Sequence, residues 1–258
     1  MSVTKKLEIK IDQLNNMKKY PPNIYYRGNL ELLNRKKVSI VGTRKPLAYT
    51  NKITYKLANE LSKRGVVIVS GAALGVDTIA HNGAGSENTI AVMANGLNIR
   101  YPAINQNLIK SIEKNGLVLS AYKDDEKARN YTFVQRNEIV VALGEVLIVT
   151  QADLNSGTLS SIKYALKMGK EVYTIPHHVN ESLGTQELLE KDLIKPIYDL
   201  DKFIDKFGEI KSNKEDELST YLNSFPPYEE ALKIYKEKIF QLELEGKILV
   251  EKGFIKPI

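Results

Sequence analysis

The sequence predicts an α/β fold, a doubly wound and mostly parallel sheet followed by a small C-terminal module. Three observations point there. First, six short runs are near-continuous in Val, Ile, Leu and Thr: Lys37 to Val41, Val66 to Ser70, Thr89 to Met93, Leu117 to Ala121, Val146 to Thr150 and Glu171 to Ile175. Strands buried on both faces of a parallel sheet read this way. Second, amphipathic segments fill the gaps between the runs, and glycines close them. Asn51 to Arg64 places Ile53, Leu57, Ala58 and Leu61 on one face before Gly65; Ile104 to Lys114 stops before Gly116; Thr158 to Met168 stops at Gly169. Glycine at such stops relieves the backbone where the chain must turn out of a helix. Third, the order strand, helix, glycine, strand repeats, as βαβ units with right-handed crossovers require.

Around this core the chain divides further. Residues 1–30, with Pro21-Pro22 and an expected turn at Arg27-Gly28-Asn29, read as a segment packing on the sheet edge, and 31–210 as the main domain. Lys211 to Glu217 is polar throughout and reads as a linker. In 218–258, Leu218 to Phe225 and Tyr228 to Leu244 are helical by periodicity, with Pro226-Pro227 breaking between them. Ile248, Val250, Phe254 and Ile255 flank Lys252-Gly253 as a hairpin would, so the module reads as winged-helix-like. It is slightly acidic and lacks an Arg/Lys-rich recognition helix, which argues against a reader of duplex DNA.

Composition removes several classes. With 258 residues, 43% hydrophobic and 26% charged, the chain is long and apolar enough for a core without staples. It contains no Cys and three His, which excludes disulfides, thiolate metal sites and a cysteine nucleophile. No continuous apolar stretch at the N-terminus resembles an export signal, and the apolar runs are strand-sized; a cytoplasmic protein without membrane association is expected. The net charge of +6 is uneven: residues 1–50 carry 11 basic and 3 acidic side chains, 51–210 carry 18 and 19, and 211–258 carry 8 and 9. A localised basic zone suits a polyanion, and a solvated Lys-rich surface explains it equally on charge alone.

Ligands of open α/β sheets sit beyond the C-terminal strand ends, so the residues after each run matter most. Gly42-Thr43-Arg44-Lys45-Pro46 offers two cations, a hydroxyl and helix N-terminal amides, an anion site in composition. It is neither a dinucleotide fingerprint nor a Walker A loop. Ser70-Gly71-Ala72-Ala73-Leu74-Gly75-Val76-Asp77 also leaves a strand for a helix, its glycines serving either a phosphate or close packing. Arg129, Asn130, Tyr131, Thr132, Phe133, Val134, Gln135, Arg136 and Asn137 combine cations and aromatics just before a helix running to Leu143. Phe133 there either stacks a base or belongs to the core, and Arg136 either holds a phosphate or pairs with a carboxylate. Asn155-Ser156-Gly157-Thr158 opens another helix with hydroxyls and amides, as ordinary capping also would. The topology brings all four loops to one edge, as a phosphate-lined groove.

Catalytic groupings are scarce. His81 and His177-His178 lack metal-ligand spacing, no nucleophile elbow exists, and Asp77 and Asp153 read more readily as capping residues than as acid and base. No catalytic residue, metal or cofactor is expected.

Taken together, Val41-Gly-Thr-Arg-Lys-Pro46, Ser70 to Asp77 with Ala80-His81, Gly96-Leu97 with Tyr101-Pro102, Arg136-Asn137 and Ser156-Gly157-Thr158 closely resemble the DNA-processing protein A family, also called Smf. The resemblance is strong from Tyr26 to Ile204 and weak in the last forty residues. It implies a Rossmann-like domain that binds and protects single-stranded DNA and helps load the RecA recombinase onto it during natural transformation. Carried over, it implies phosphate contacts at Gly42, Thr43, Arg44, Lys45, Ser70, Gly71 and Leu74, and base stacking on Phe133. Arg129, Asn130, Arg136, Asn137, Ser156, Gly157 and Thr158 complete the expected DNA site. The family's dimer contact would correspond to Leu188, Leu189, Leu193 and Ile194, which follow Thr185 at helical spacing and would equally suit a core. Two departures stand out: Asn130 beside Arg129 where some relatives carry a Lys, and Ala-Ala-Leu-Gly where many have an Arg before the Gly. The competing reading is a nucleoside-monophosphate phosphoribohydrolase on a similar fold. That class carries a glutamate where this chain has Ser161, which argues against hydrolysis.

Overall fold

The computed structural model describes residues 3–210 and, beyond them, Leu218, Tyr221, Leu222, 224–244, 246–251 and 253–257. The chain forms two units, Met1–Ile210 and Lys211–Ile258. The first runs, in chain order, β1 (Lys5–Lys6), β2 (Tyr25–Gly28), β3 (Lys37–Val41), α1 (Ala48–Lys63), β4 (Val67–Ser70), α2 (Val76–Ala84), β5 (Thr89–Met93), α3 (Gln106–Asn115) and β6 (Leu117–Ser120). It continues with α4 (Asn130–Leu143), β7 (Leu147–Val149), α5 (Thr158–Lys167), β8 (Val172–Thr174), α6 (Leu183–Glu190), β9 (Lys195–Pro196) and α7 (Leu200–Asp205).

These strands make one sheet in the order β1, β2, β6, β5, β4, β3, β7, β8, β9. From β6 to β9 every neighbouring pair is parallel. Side chains of the central strands alternate between two cores. Val67, Val69, Leu147 and Val149 face α4 and α5, while Ile68 and Ile148 face α1 and α2 with Leu57, Leu61, Val76 and Ala80. Both faces are therefore dry, which is why the runs are continuously apolar rather than alternating. This is the doubly wound, Rossmann-like sheet expected.

At the edge the expectation needs correction. Arg27-Gly28 is not a turn: β2 pairs antiparallel with β6, Arg27 opposite Val118 and Gly28 opposite Leu117. Arg27 is buried because Glu113 meets it at 3.3 Å and Asn98 accepts from it at 2.6 Å. Tyr25, half-buried, packs on the Ile109–Ile112 cluster, so the N-terminal segment extends the sheet.

In the second unit the described residues include α8 (Tyr228–Leu244), whose backbone leaves helical geometry at Lys236, and a hairpin of β10 (Ile248–Glu251) and β11 (Phe254–Pro257). Leu218, Leu222, Ala231, Ile239, Ile248 and Ile255 form its core. The expected linker 211–217 lies outside the described residues, as does part of the expected Leu218 to Phe225 helix. Among the described residues no helix is long and apolar enough to cross a membrane.

Candidate functional site

Strand β3 has β4 on one side and β7 on the other, so the chain leaving β3 and the chain leaving β7 turn away from each other. That divergence opens a crevice beyond their C-terminal ends. The first wall is Gly42 to Leu47. Its Thr43 amide donates to the Gln151 carbonyl at 2.9 Å, and the Thr158 hydroxyl donates to the Gly42 carbonyl at 3.1 Å, tying it to the chain after β7. The second loop nests against it: the Val76 amide donates to the Thr43 carbonyl at 3.1 Å.

Gly75 makes that nesting possible. Its φ is +77°, and a Cβ there would lie 2.5 Å from the Thr43 oxygen and 2.6 Å from the Arg44 carbonyl carbon. Gly75→Ala is therefore expected to destabilise the fold by ~1–3 kcal/mol through the left-handed backbone and to push the Thr43-Arg44 segment out of place. Urea unfolding checks it, and an unchanged midpoint would contradict the close approach.

The resulting groove has a volume of about 700 Å³. Gly42, Thr43, Arg44 and Lys45 line one side, and Ser156, Gly157, Thr158 and Ser161 another. Arg44 and Lys45 are exposed, whereas Thr158 is buried. Helix α4 supplies Asn130, Phe133, Arg136 and Asn137. Here the sequence expectation is corrected: these residues are not ahead of the helix but in its first turns, since α4 begins at Asn130. Thr132 sets that start, its hydroxyl accepting from the Arg129 amide at 2.9 Å and donating to the Arg129 carbonyl at 2.8 Å. Helical spacing then turns Phe133, Arg136 and Asn137 to the groove together.

Beside the groove lies a small cleft of about 40 Å³, lined by Gly71, Leu74, Asn95, Tyr101 and Phe133 with Arg44 at its mouth. The Arg44 guanidinium stands 5.7 Å from the Phe133 ring centre, and Tyr101 tilts toward the same ring at 6.1 Å. Phe133 is half-buried, so one flat apolar ring is presented beside an exposed positive charge. Such a pair offers stacking and a cation at one place.

Beneath this surface is a buried polar wall. Arg136 is 5% exposed and donates to the carbonyls of Gly71 and of Val92, the latter at 2.8 Å. Asp77 accepts from the Ala73 amide at 3.3 Å. Burial pushes the Asp77 carboxyl up, against the lowering pull of Arg136 and of its amide donors. Burial likewise lowers the Arg136 pKa, and Asp77 opposes it. Ser70 is fully buried, its hydroxyl donating to the Ile40 carbonyl at 2.7 Å. Ser70 Oγ and Arg136 Nη1 thus build the wall with their donors engaged, and the exposed cations lining the groove are Arg44 and Lys45. Arg129 is exposed and lines neither cavity.

His81 completes the wall. The Thr89 hydroxyl donates to the Ile68 carbonyl at 2.8 Å, so His81 Nδ1, 2.6 Å from that hydroxyl oxygen, carries the ring proton. Its buried Nε2 has no partner among the described residues. Burial, aided by Arg136, lowers its pKa from 6.5 to about 3. Between those values the unfolded chain binds a proton that the folded chain does not, so stability falls as pH falls, by up to ~1.4 kcal/mol per pH unit. Unfolding midpoints measured across this window should show that slope, and His81→Asn should remove this part of it; an unchanged slope would contradict the assignment.

The four residues expected at a dimer contact divide. Ile194 is buried at 4% exposure, Leu188 and Leu189 pack partly buried on the main core, and Leu193 is 46% exposed. Helix α6 ends at Glu190, so Leu193 and Ile194 do not share its face. Three further residues organise the site without being among those the sequence points to as site residues: Tyr101, Asn95 and Gln151. Tyr101-Pro102 belongs to the family pattern, whereas Gln151 acts through space and carries no local signal. Among the described residues no group of His, Asp and Glu is placed to hold a metal ion.

Comparison with known proteins shows the family. The chain is 36% identical over 177 residues to protein Smf of Synechocystis, which covers 66% of this chain and 44% of that one. It is 35% identical over 159 residues to DNA processing protein DprA of Bacillus subtilis, covering 60% of this chain and 54% of that one. The chain thus spans about half the length of these two relatives. The solved structure of DNA processing protein A from Helicobacter pylori, a single-stranded-DNA-binding protein, superposes with a TM-score of 0.77 at 41% identity, covering 79% of this chain and 94% of that one. The profile of one family, DNA recombination-mediator protein A, matches residues 10–208, nearly the whole first unit with its groove, and the chain belongs to that family.

Proposed function

We propose that this chain binds and protects single-stranded DNA in the groove at the β3/β7 switch point and acts as a recombination mediator that helps load the RecA recombinase during natural transformation. The observation that carries the reading is the pairing of a polyanion-sized groove, with Arg44 and Lys45 exposed on it, with the half-buried Phe133 ring in the adjoining cleft. Phosphates neutralised by Lys45 and Thr43's loop supply affinity without sequence preference, and a base stacked on Phe133 selects unpaired strands, because bases in a duplex are already stacked. The Arg44 guanidinium occupies the space over the ring, so an entering base either displaces it or is sandwiched by it. Family membership and the single-stranded-DNA-binding relative from Helicobacter pylori support the same reading.

In this reading Gly42, Gly71, Leu74, Asn130, Asn137, Ser156 and Gly157 shape the groove and cleft, Arg129 adds charge from outside it, and no catalytic step is invoked. A homodimer through the surface near Leu188, Leu189, Leu193 and Ile194 belongs to the same proposal, Leu193 being its exposed member. The test is a fluorescence-anisotropy titration with an oligothymidylate and with a duplex of equal length, each at low and high salt. Tighter, salt-sensitive binding of the single strand is expected. Equal binding of both, or none, would overturn the proposal.

A further inference from the structure

His177 follows β8 at the same end of the sheet as the groove, and its ring belongs to a hydrogen-bond chain that reaches the Gly42 to Leu47 loop. The Leu47 amide donates to Gln151 Oε1 at 3.0 Å, which identifies that atom as the amide oxygen. The same oxygen lies 2.8 Å from the Thr50 hydroxyl and can only accept, so the Thr50 proton points to it. Thr50 then has only a lone pair for His177 Nε2, 3.0 Å away. On the other side of the ring, Nδ1 is 3.0 Å from the Ile175 carbonyl, which also only accepts. Both ring nitrogens therefore face acceptors. Every contact in the chain is made only when both carry a proton, and a neutral ring leaves one of them without a hydrogen.

The surroundings set the ring's charge in the free protein. Burial lowers the His177 pKa below 6.5, the Ile175 carbonyl, Glu181 and Asp153 oppose that, and His178 adds to it. From α1 the Tyr49 ring meets the imidazole edge-on at 5.8 Å and 89°. Near neutral pH the ring is thus neutral and the chain incomplete. A phosphodiester held by the Gly42 to Leu47 loop adds negative charge at the loop to which this hydrogen-bond chain leads, and favours the imidazolium. Once formed, the imidazolium fixes Thr50, and Thr50 fixes Gln151. Gln151 holds both ends of the phosphate loop, the Leu47 amide through its side chain and the Thr43 amide through its carbonyl at 2.9 Å.

We propose that His177 is a positioning residue of the groove, which takes up a proton when the phosphodiester backbone of a single strand binds and thereby completes the hydrogen bonds that hold the Gly42 to Leu47 loop. The proposal rests on the reading of the groove as a polyanion site. Because the complex holds more protons than the free protein, affinity falls as pH rises through the window between the free and bound pKa of the ring, by up to about tenfold per pH unit.

The experiment measures oligothymidylate affinity at constant salt from about pH 5.5 to about pH 8, where histidine titrates. Calorimetry in two buffers of different protonation enthalpy accompanies it, and thermal unfolding of each variant checks the fold. Wild type should lose affinity with rising pH and take up as much as one proton per strand. His177→Gln keeps an N–H for Thr50 without a charge, so it should stay folded, bind with little pH dependence and take up no proton at this site. His178→Gln, which leaves the hydrogen-bond chain intact, should keep the pH-dependent affinity and the proton uptake. A His177→Gln variant with the wild-type slope and proton uptake would overturn the proposal while leaving the groove intact, provided Lys45→Ala still weakens binding. Binding at no pH, or binding indifferent to Lys45→Ala, would overturn the groove reading and this inference with it.

Discussion

Replacing Arg136 by methionine is expected to destabilise the folded chain by ~1–3 kcal/mol, the cost of leaving buried carbonyls without their donor. The Gly71 and Val92 carbonyls would be deprived of their donor, and the buried Asp77 carboxyl would lose the cation that opposes the upward push of burial on its pKa. The double variant Asp77→Asn, Arg136→Met should cost less than the sum of the two single variants, because each group's field acts on the other. Urea unfolding of the two single variants and the double checks this. A single variant within ~1 kcal/mol of wild type would show that Arg136 is not a structural cation. The distinction matters for function: for an Arg136 variant that no longer binds DNA, the unfolding data separate a collapsed wall from a missing phosphate ligand.

Phe133→Ala is expected to weaken single-strand binding by ~1–3 kcal/mol, roughly 5- to 150-fold, with little change in salt dependence. The effect comes from stacking, which releases no counterion. Where the entering base displaces Arg44 rather than being sandwiched by it, the effect falls toward the lower end of that range, because the cation–π contact at 5.7 Å, itself ~0.5–1 kcal/mol at an exposed site, is given up. Phe133→Trp should retain most of the affinity. Anisotropy titrations at several salt concentrations separate affinity from slope. A Phe133→Ala variant that kept its affinity, or changed slope as removal of a cation would, would take the ring out of the binding surface.

What the sequence discloses follows from where each element lies. Strands β3 to β8 are legible because both faces are buried, so each writes a continuous apolar run. Strand β2 reads as a turn because Tyr25-Tyr26-Arg27-Gly28 carries a charge whose partner Glu113 comes from a distant helix. Strand β9, two residues including Pro196, is too short to leave a pattern. The start of α4 reads too late because Tyr131-Thr132-Phe133-Val134 has the composition of an extended segment, whereas the Thr132 hydroxyl caps a helix. The first two loops of the site are legible since each directly follows a strand, Gly42 to Pro46 after β3 and Gly71 to Gly75 after β4. The division between exposed cations and a buried wall is not, because Arg44 and Arg136 differ only in what the fold packs around them.

The central claim, that the switch-point groove holds a polyanion through Arg44 and Lys45, is tested most directly by the salt dependence of oligothymidylate binding in wild type, Arg44→Ala/Lys45→Ala and Lys63→Ala. Lys63 lies at the far end of α1, where it pairs with Glu60 at 2.8 Å. Removing one cation from a phosphate should flatten the log–log slope by about 0.7, so the groove variant should be shallower by about 1.4 and weaker at low salt, and Lys63→Ala should match wild type. Equal slopes for all three proteins would contradict the account and move the polyanion site off this groove.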